Sequence, residues 1–130
     1  MIVLDASAGI ELLLQSPTGR RIERRIFSSP ESLHAPHLID VEITQVLRRC
    51  VHEKRITPER GEEALQDLGD LRLHRYPHDF LIPRMWELRA TLTAYDASYV
   101  ALAEALDAPI FTCDRKIASA PGHHAKVEVV

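Results

Sequence analysis

Long apolar runs are missing from this 130-residue chain. None approaches the ~18 consecutive apolar residues that a membrane-spanning helix requires. An export signal is missing too, because Met1 to Ala8 is short and reaches Asp5 too early. Cysteine is scarce. Cys50 and Cys113 stand far apart, make no disulfide framework, and read as reduced thiols of a cytoplasmic protein. Neither sign of charge dominates: 16 Lys and Arg face 19 Asp and Glu, a net −3. That balance argues against a purely electrostatic nucleic-acid binder, yet leaves nucleic acid open as a substrate. Only three of the basic residues are Lys and thirteen are Arg. Arg favours bidentate phosphate contacts, although a GC-rich coding bias gives the same ratio. There is no G-x-S-x-G elbow, no Walker loop and no Cys/His spacing of a structural zinc site.

What remains is ordinary globular material, 45% hydrophobic and 27% charged. Ile, Leu and Val are too plentiful for a disordered chain. With no repeat or linker, a single domain over residues 1–130 is expected. Short apolar runs alternate with longer amphipathic ones. Ile2 to Leu4 reads as a buried strand, and Ser7 to Gln15 as a helix. Ser16-Pro17 and Thr57-Pro58 read as helix caps followed by prolines, opening helices to about Ser28 and Asp70. Between them lie a short strand at Ser32 to Ala35 and a helix from Pro36 to about Lys54. Ile39, Ile43, Val46, Leu47 and Cys50 form the apolar stripe of that helix. Further strands are expected at Leu71 to Tyr76, Ala108 to Thr112 and Lys126 to Val130. Further helices are expected at about Asp79 to Leu92, either starting near Pro83 or carrying that proline in its first turn, at Tyr95 to Leu106 and at Asp114 to Ala118. Strands separated by helices predict an α/β/α sandwich with a mostly parallel sheet.

The acids carry more information than the fold. Ligands of open α/β sheets bind beyond the carboxyl ends of the strands. Asp5 and Asp114 both follow strand ends, so both should reach one edge of the sheet. Each also suits the cap of the helix that follows it. Glu42 borders an apolar stripe, where a carboxylate is costly unless a cation or an arginine pairs with it. Asp40 suits the first turn of its helix. Asp96 starts its helix and shares a face with Tyr99, Val100 and Ala103. Gathering Asp5, Glu42, Asp96 and Asp114 at one edge would raise some of their pKa values and call for a cation. Oxygen ligands of this kind select Mg²⁺ or Mn²⁺. Such ions acidify water and stabilise charge on a phosphodiester. Ser7 and Thr112 stand two residues from Asp5 and Asp114, where each suits a cap or a group orienting a carboxylate or water.

These residues resemble a known family. Met1-Ile2-Val3-Leu4-Asp5-Ala6-Ser7 is similar to the opening of PIN-domain ribonucleases. Ala35 to Glu42 resembles their helix bearing an acidic residue. Thr93 to Glu104 resembles their third motif, and Thr112-Cys113-Asp114 their fourth. The order and the length resemble most the VapC-type toxins of toxin–antitoxin pairs. The resemblance implies an endoribonuclease dependent on Mg²⁺ or Mn²⁺. Asp5, Glu42, Asp96 and Asp114 would be its metal-holding catalytic acids, with Thr112 and Ser7 in support. Water would attack phosphorus and leave 5′-phosphate and 3′-hydroxyl ends. A cognate VapB-type antitoxin that sets a basic residue near the acids, an RNA substrate and a homodimer are implied as partners.

Arg115 and Lys116 beside Asp114 are candidates for touching the scissile phosphate. Arg20, Arg21, Arg24 and Arg25 suit a solvated helix face or a phosphate rim. Setting the four acids aside moves the net charge from −3 to +1. The seven histidines read as surface or loop residues, and Trp86 and Leu88 as core or interface. Two other functions stay open at this point. One is a non-catalytic PIN-like partner-binding domain. The other is an aspartate-dependent phosphohydrolase, disfavoured because Ser7 stands where its second Asp belongs.

Overall fold

All three residues of the first strand, β1 (Ile2–Leu4), are apolar and buried. A run without alternation needs cover on both faces. The computed structural model, which describes residues 1–130, supplies it. After β1 come α1 (Ala6–Leu14), α2 (Pro17–Phe27), β2 (Leu33–Pro36), α3 (Leu38–His52), α4 (Pro58–Asp70) and β3 (Leu73–Tyr76). A 3₁₀ turn at Asp79–Leu81 leads into α5 (Ile82–Glu87). Then follow α6 (Ala94–Leu106), β4 (Ile110–Thr112), α7 (Arg115–Ser119) and β5 (Val127–Val129).

The sheet order is β3-β2-β1-β4-β5, and every neighbouring pair is parallel. The expected mostly parallel sheet is therefore wholly parallel. Parallel crossovers are right-handed. The two outward steps, β1 to β2 and β2 to β3, put α1 to α4 on one face. The return from β3 to β4 runs the other way and puts α5 and α6 on the opposite face. One cluster of 31 buried apolar residues joins the three layers. No helix is long and apolar enough to cross a membrane.

Local signals set the helix starts. Ser16 accepts from the Gly19 N–H at 2.9 Å and Thr57 from the Arg60 N–H at 3.1 Å. Each precedes a proline at the head of its helix. Thr93 caps α6 in the same way, accepting from the Asp96 N–H at 3.2 Å.

Two expectations need correction. The helix expected to reach Leu92 ends at Glu87. Residues 88–92 turn instead, bury Leu88 and Leu92, and bring Thr93 into the extended conformation its cap requires. His34 is no surface residue. It is buried on β2, with Tyr76 Oη 2.6 Å from Nδ1 and Ser32 Oγ 2.7 Å from Nε2. Of the two residues expected as core or interface, Leu88 is core, and Trp86 is 67% exposed and lies against Arg89.

Candidate active site

The strand order reverses beside β1: β2 and β3 lie on one side of it, and β4 and β5 on the other. The crevice outside the carboxyl ends at such a reversal is where open parallel sheets hold ligands. Asp5 follows the last residue of β1, and Asp114 stands two residues beyond the last of β4. Glu42 arrives from the second turn of α3 and Asp96 from the first turn of α6. All four carboxylates line one cavity of about 360 Å³, with Ala6, Ser7, Ile10, Glu11, Val46 and Cys113 completing its wall. The structure therefore brings together the four acids and Ser7 that the sequence singled out.

Asp5 is the most firmly held. Its Oδ1 accepts from the Ala6 N–H at 2.9 Å. Its Oδ2 accepts from the Ser7 hydroxyl at 2.7 Å and the Thr112 hydroxyl at 2.6 Å. Each hydroxyl carries one proton, and both protons go to Asp5. The 3.2 Å approach of Ser7 Oγ to Thr112 Oγ1 is then an oxygen–oxygen contact. The hydroxyls also accept: Ser7 from the Cys113 N–H at 2.9 Å, and Thr112 from the Asp114 N–H at 3.0 Å. Two strand ends are thereby laced together around one carboxylate. Ser7 is committed to Asp5, so the place of a second phosphohydrolase acid holds a tether.

Both strand-end acids also cap helices, as their positions suggested. Asp5 caps α1, and Asp114 Oδ1 accepts from the Lys116 N–H at 2.9 Å. Capping occupies one oxygen of Asp114, and the other makes no hydrogen bond.

Glu42 meets no arginine. The Tyr99 hydroxyl donates to its Oε1 at 2.6 Å. The guanidinium of Arg75 pairs with Asp40, through Nε to Oδ2 at 2.7 Å and Nη2 to Oδ1 at 2.9 Å. That forked pair ties the first turn of α3 to β3. Sequence reasoning placed Tyr99 on the face of Asp96 but gave it no task. The available signal was a hydroxyl-tipped ring in a helix whose other buried residues are small or aliphatic, since a buried phenol needs a partner.

Burial raises the pKa of Glu42 above the ordinary carboxylate range; the Tyr99 hydrogen bond opposes this, while Asp5 and Asp96 add to it. Burial raises Asp96 as well, reinforced by Asp5 and Asp114 and opposed by Thr93 and Lys116. The Cys113 thiol is pushed up by burial, then by Glu11 and Asp5. No three His, Cys, Asp or Glu side chains stand together in a ready-made coordination sphere. The donors still fit a hard divalent cation: five carboxylates, those of Asp5, Glu11, Glu42, Asp96 and Asp114, line one cavity, and burial pushes the only thiol there, that of Cys113, away from the ligating thiolate.

Arg115 and Lys116 are exposed on α7 beside Asp114. The four arginines of α2 are exposed too, with Arg25 over the Phe111 ring and 3.5 Å from Glu128. They form the solvated face expected of that helix.

The family model described as PIN domain matches residues 2–122. Ribonuclease VapC12 of Mycobacterium tuberculosis is 40% identical over 130 residues, which cover 100% of this chain and 99% of the relative. The crystal structure of VapBC2 from Rickettsia felis bound to a DNA fragment from their promoter superposes with a TM-score of 0.72. It has 15% identity and covers 98% of both chains. A toxin-antitoxin complex from Klebsiella pneumoniae superposes with a TM-score of 0.65 at 16% identity, over 92% of this chain and 91% of that one. At such identities the structural likeness shows the fold alone.

Proposed function

Because this chain belongs to the PIN-domain family, we propose that it is a VapC-type toxin, a divalent-metal-dependent endoribonuclease acting in the cytoplasm as a single domain. One observation carries the reading: four carboxylates from four separate segments converge on one cavity at the sheet reversal. The identity with ribonuclease VapC12 over the whole chain supports it.

Asp5, Glu42, Asp96 and Asp114 are the residues that would hold Mg²⁺ or Mn²⁺. When bound, the ion supplies Lewis acidity that acidifies water and offsets charge building on the phosphodiester. Thr112 and Ser7 hold the Asp5 carboxylate in one orientation by donating to one of its oxygens. Asp114 is oriented from its own backbone, through Thr112 below it and Lys116 above it. Arg115 and Lys116 supply positive charge at the rim, where an RNA phosphate enters an otherwise acidic cavity. Hydrolysis by water in line with the 3′ oxygen leaves a 5′-phosphate and a 3′-hydroxyl.

An inhibitory VapB-type antitoxin is the proposed protein partner, supported by the toxin–antitoxin complexes among the structural neighbours. A homodimer is proposed as well. Phe80, Ile82, Trp86 and Tyr95 are large, exposed and apolar on neighbouring segments around α5 and α6, a pattern typical of a covered face.

The test is cleavage of purified total RNA by the antitoxin-free chain and by Asp96→Asn, each with Mg²⁺, Mn²⁺ or EDTA. Discrete cuts by the wild type alone, lost in EDTA and carrying 5′-phosphate ends, are expected. Cuts that persist in EDTA or in the variant overturn the metal assignment. Light scattering of the purified chain reads the oligomer.

A further inference from the structure

Tyr99 is fully buried in α6, three residues beyond Asp96, and its hydroxyl reaches across to Glu42 on α3. We propose that Tyr99 is a positioning residue for the metal site. It pins one oxygen of Glu42 so that the other is presented to the cation at a fixed distance from Asp96. The inference rests on the metal-dependent reading above.

Three observations meet in it. The bond is short, at 2.6 Å, and it is the one hydrogen bond the Glu42 side chain makes. The donor is rigid, because its ring is locked in the core on all sides, with no exposed surface. Finally, α3 and α6 lie in different layers of the sandwich, so Glu42 and Asp96 have no backbone connection that sets their separation. Tyr99 supplies one, since it is one helical turn from Asp96 and bonded to Glu42. A glutamate has three side-chain torsions to fix, and a partner that removes that freedom lowers the cost of ordering it around an ion. The alternative is that Glu42 merely satisfies a buried phenol.

A double-mutant cycle read by Mn²⁺ binding separates the two. Mn²⁺ dissociation constants are measured by electron paramagnetic resonance on the full chain without RNA, for wild type, Tyr99→Phe, Glu42→Gln and the double variant. Tyr99→Phe should weaken Mn²⁺ roughly tenfold, in line with the loss of other groups that orient ligands. In the Glu42→Gln background the same change should have no further effect. Equal affinity of wild type and Tyr99→Phe overturns the proposal, as does an undiminished Tyr99 effect without the Glu42 carboxylate. Wild type that binds no Mn²⁺ overturns the metal-site reading itself, which is a distinguishable failure. A measurement without substitution guards against a variant that folds poorly: the ¹³Cζ resonance of Tyr99 should move on Mg²⁺ saturation, while that of Tyr76, bonded to His34, should not. An unmoved Tyr99 resonance overturns the proposal.

Discussion

The Thr112 hydroxyl lies 2.6 Å from Asp5 Oδ2 and joins the end of β4 to the end of β1. The same oxygen accepts from the Asp114 N–H at 3.0 Å. One hydroxyl therefore orients two of the four acids. Thr112→Val keeps the shape and removes both interactions. Its cleavage rate should fall about 10- to 100-fold, the usual cost of losing a group that orients a metal ligand. Stability should fall by about 1–3 kcal/mol, because a buried carboxylate oxygen and a backbone N–H lose their partner. Thr112→Ser, which retains the hydroxyl, should keep most of the rate. A Val variant as active as wild type would show that Ser7 alone suffices to orient Asp5.

Asp5→Asn and Asp96→Asn should each reduce cleavage below detection while the far-ultraviolet circular dichroism stays that of wild type. The two residues sit on different elements, and each replacement is isosteric. Joint loss with an intact fold would then reflect shared chemistry rather than local unfolding. Retention of a near-normal rate by both folded variants would remove them from the catalytic set.

The raised pKa values of Glu42 and Asp96 make a separate prediction about stability without metal. Each group binds its proton more readily folded than unfolded. Over the window between the ordinary carboxylate pKa and the raised one, the native state holds the extra proton. Stability is then full below the ordinary value and falls as pH climbs through the raised one. Above the raised value both charges are present, shielded from water and repelled by Asp5. Asp96→Asn should therefore melt above metal-free wild type at pH 7, by a few degrees. Allowing for solvent screening of a half-buried group, that is roughly 0.5 kcal/mol. The gap should close near pH 4, and Mg²⁺ should close it at pH 7 by stabilising the wild type. Thermal melts at two pH values, with and without Mg²⁺, check each arm. A variant less stable than wild type under every condition would contradict the repulsion.

The scaffold was largely legible because its signals are local. Ser16-Pro17 and Thr57-Pro58 carry their helix starts in two residues each, and β1 carries its burial in three. Asp5 and Asp114 were legible because strand ends define the ligand edge of a parallel sheet. The partner of Glu42 was not. Nothing within its own helix indicates whether an arginine 33 residues away or a tyrosine 57 residues away will reach it, since that depends on how two layers pack. His34 was misread for the same reason. Its burial depends on Tyr76, brought alongside by the β2–β3 register, which pairs Pro36 with Tyr76 and His34 with His74. The early end of α5 was hidden because Leu88 and Leu92 keep helical spacing while the chain turns to deliver Thr93.

Two glycines in helices offer the sharpest contrast between propensity and packing. Helix propensity alone predicts that Gly→Ala stabilises either one. At Gly69, near the end of α4, an added Cβ meets nothing within 4 Å. Gly69→Ala should raise stability by about 0.5–1 kcal/mol. At Gly19 an added Cβ would stand 1.8 Å from the Glu11 carbonyl oxygen and 2.5 Å from its carbon. Both obstacles are backbone, so no side-chain rotation relieves them. The same turn is tied by the Ser16 cap on Gly19 and by the Ser16 N–H donating to Glu11 O at 3.3 Å. Relief must come from moving α2 off α1, which drags the buried Ile22 and Ile26 out of register with the core. Gly19→Ala should therefore cost about 3 kcal/mol or more, at the upper end for an overpacked site. Urea denaturation of both variants reads the difference directly. Stabilisation by both would mean that α1 and α2 stand farther apart in solution than their shared turn indicates.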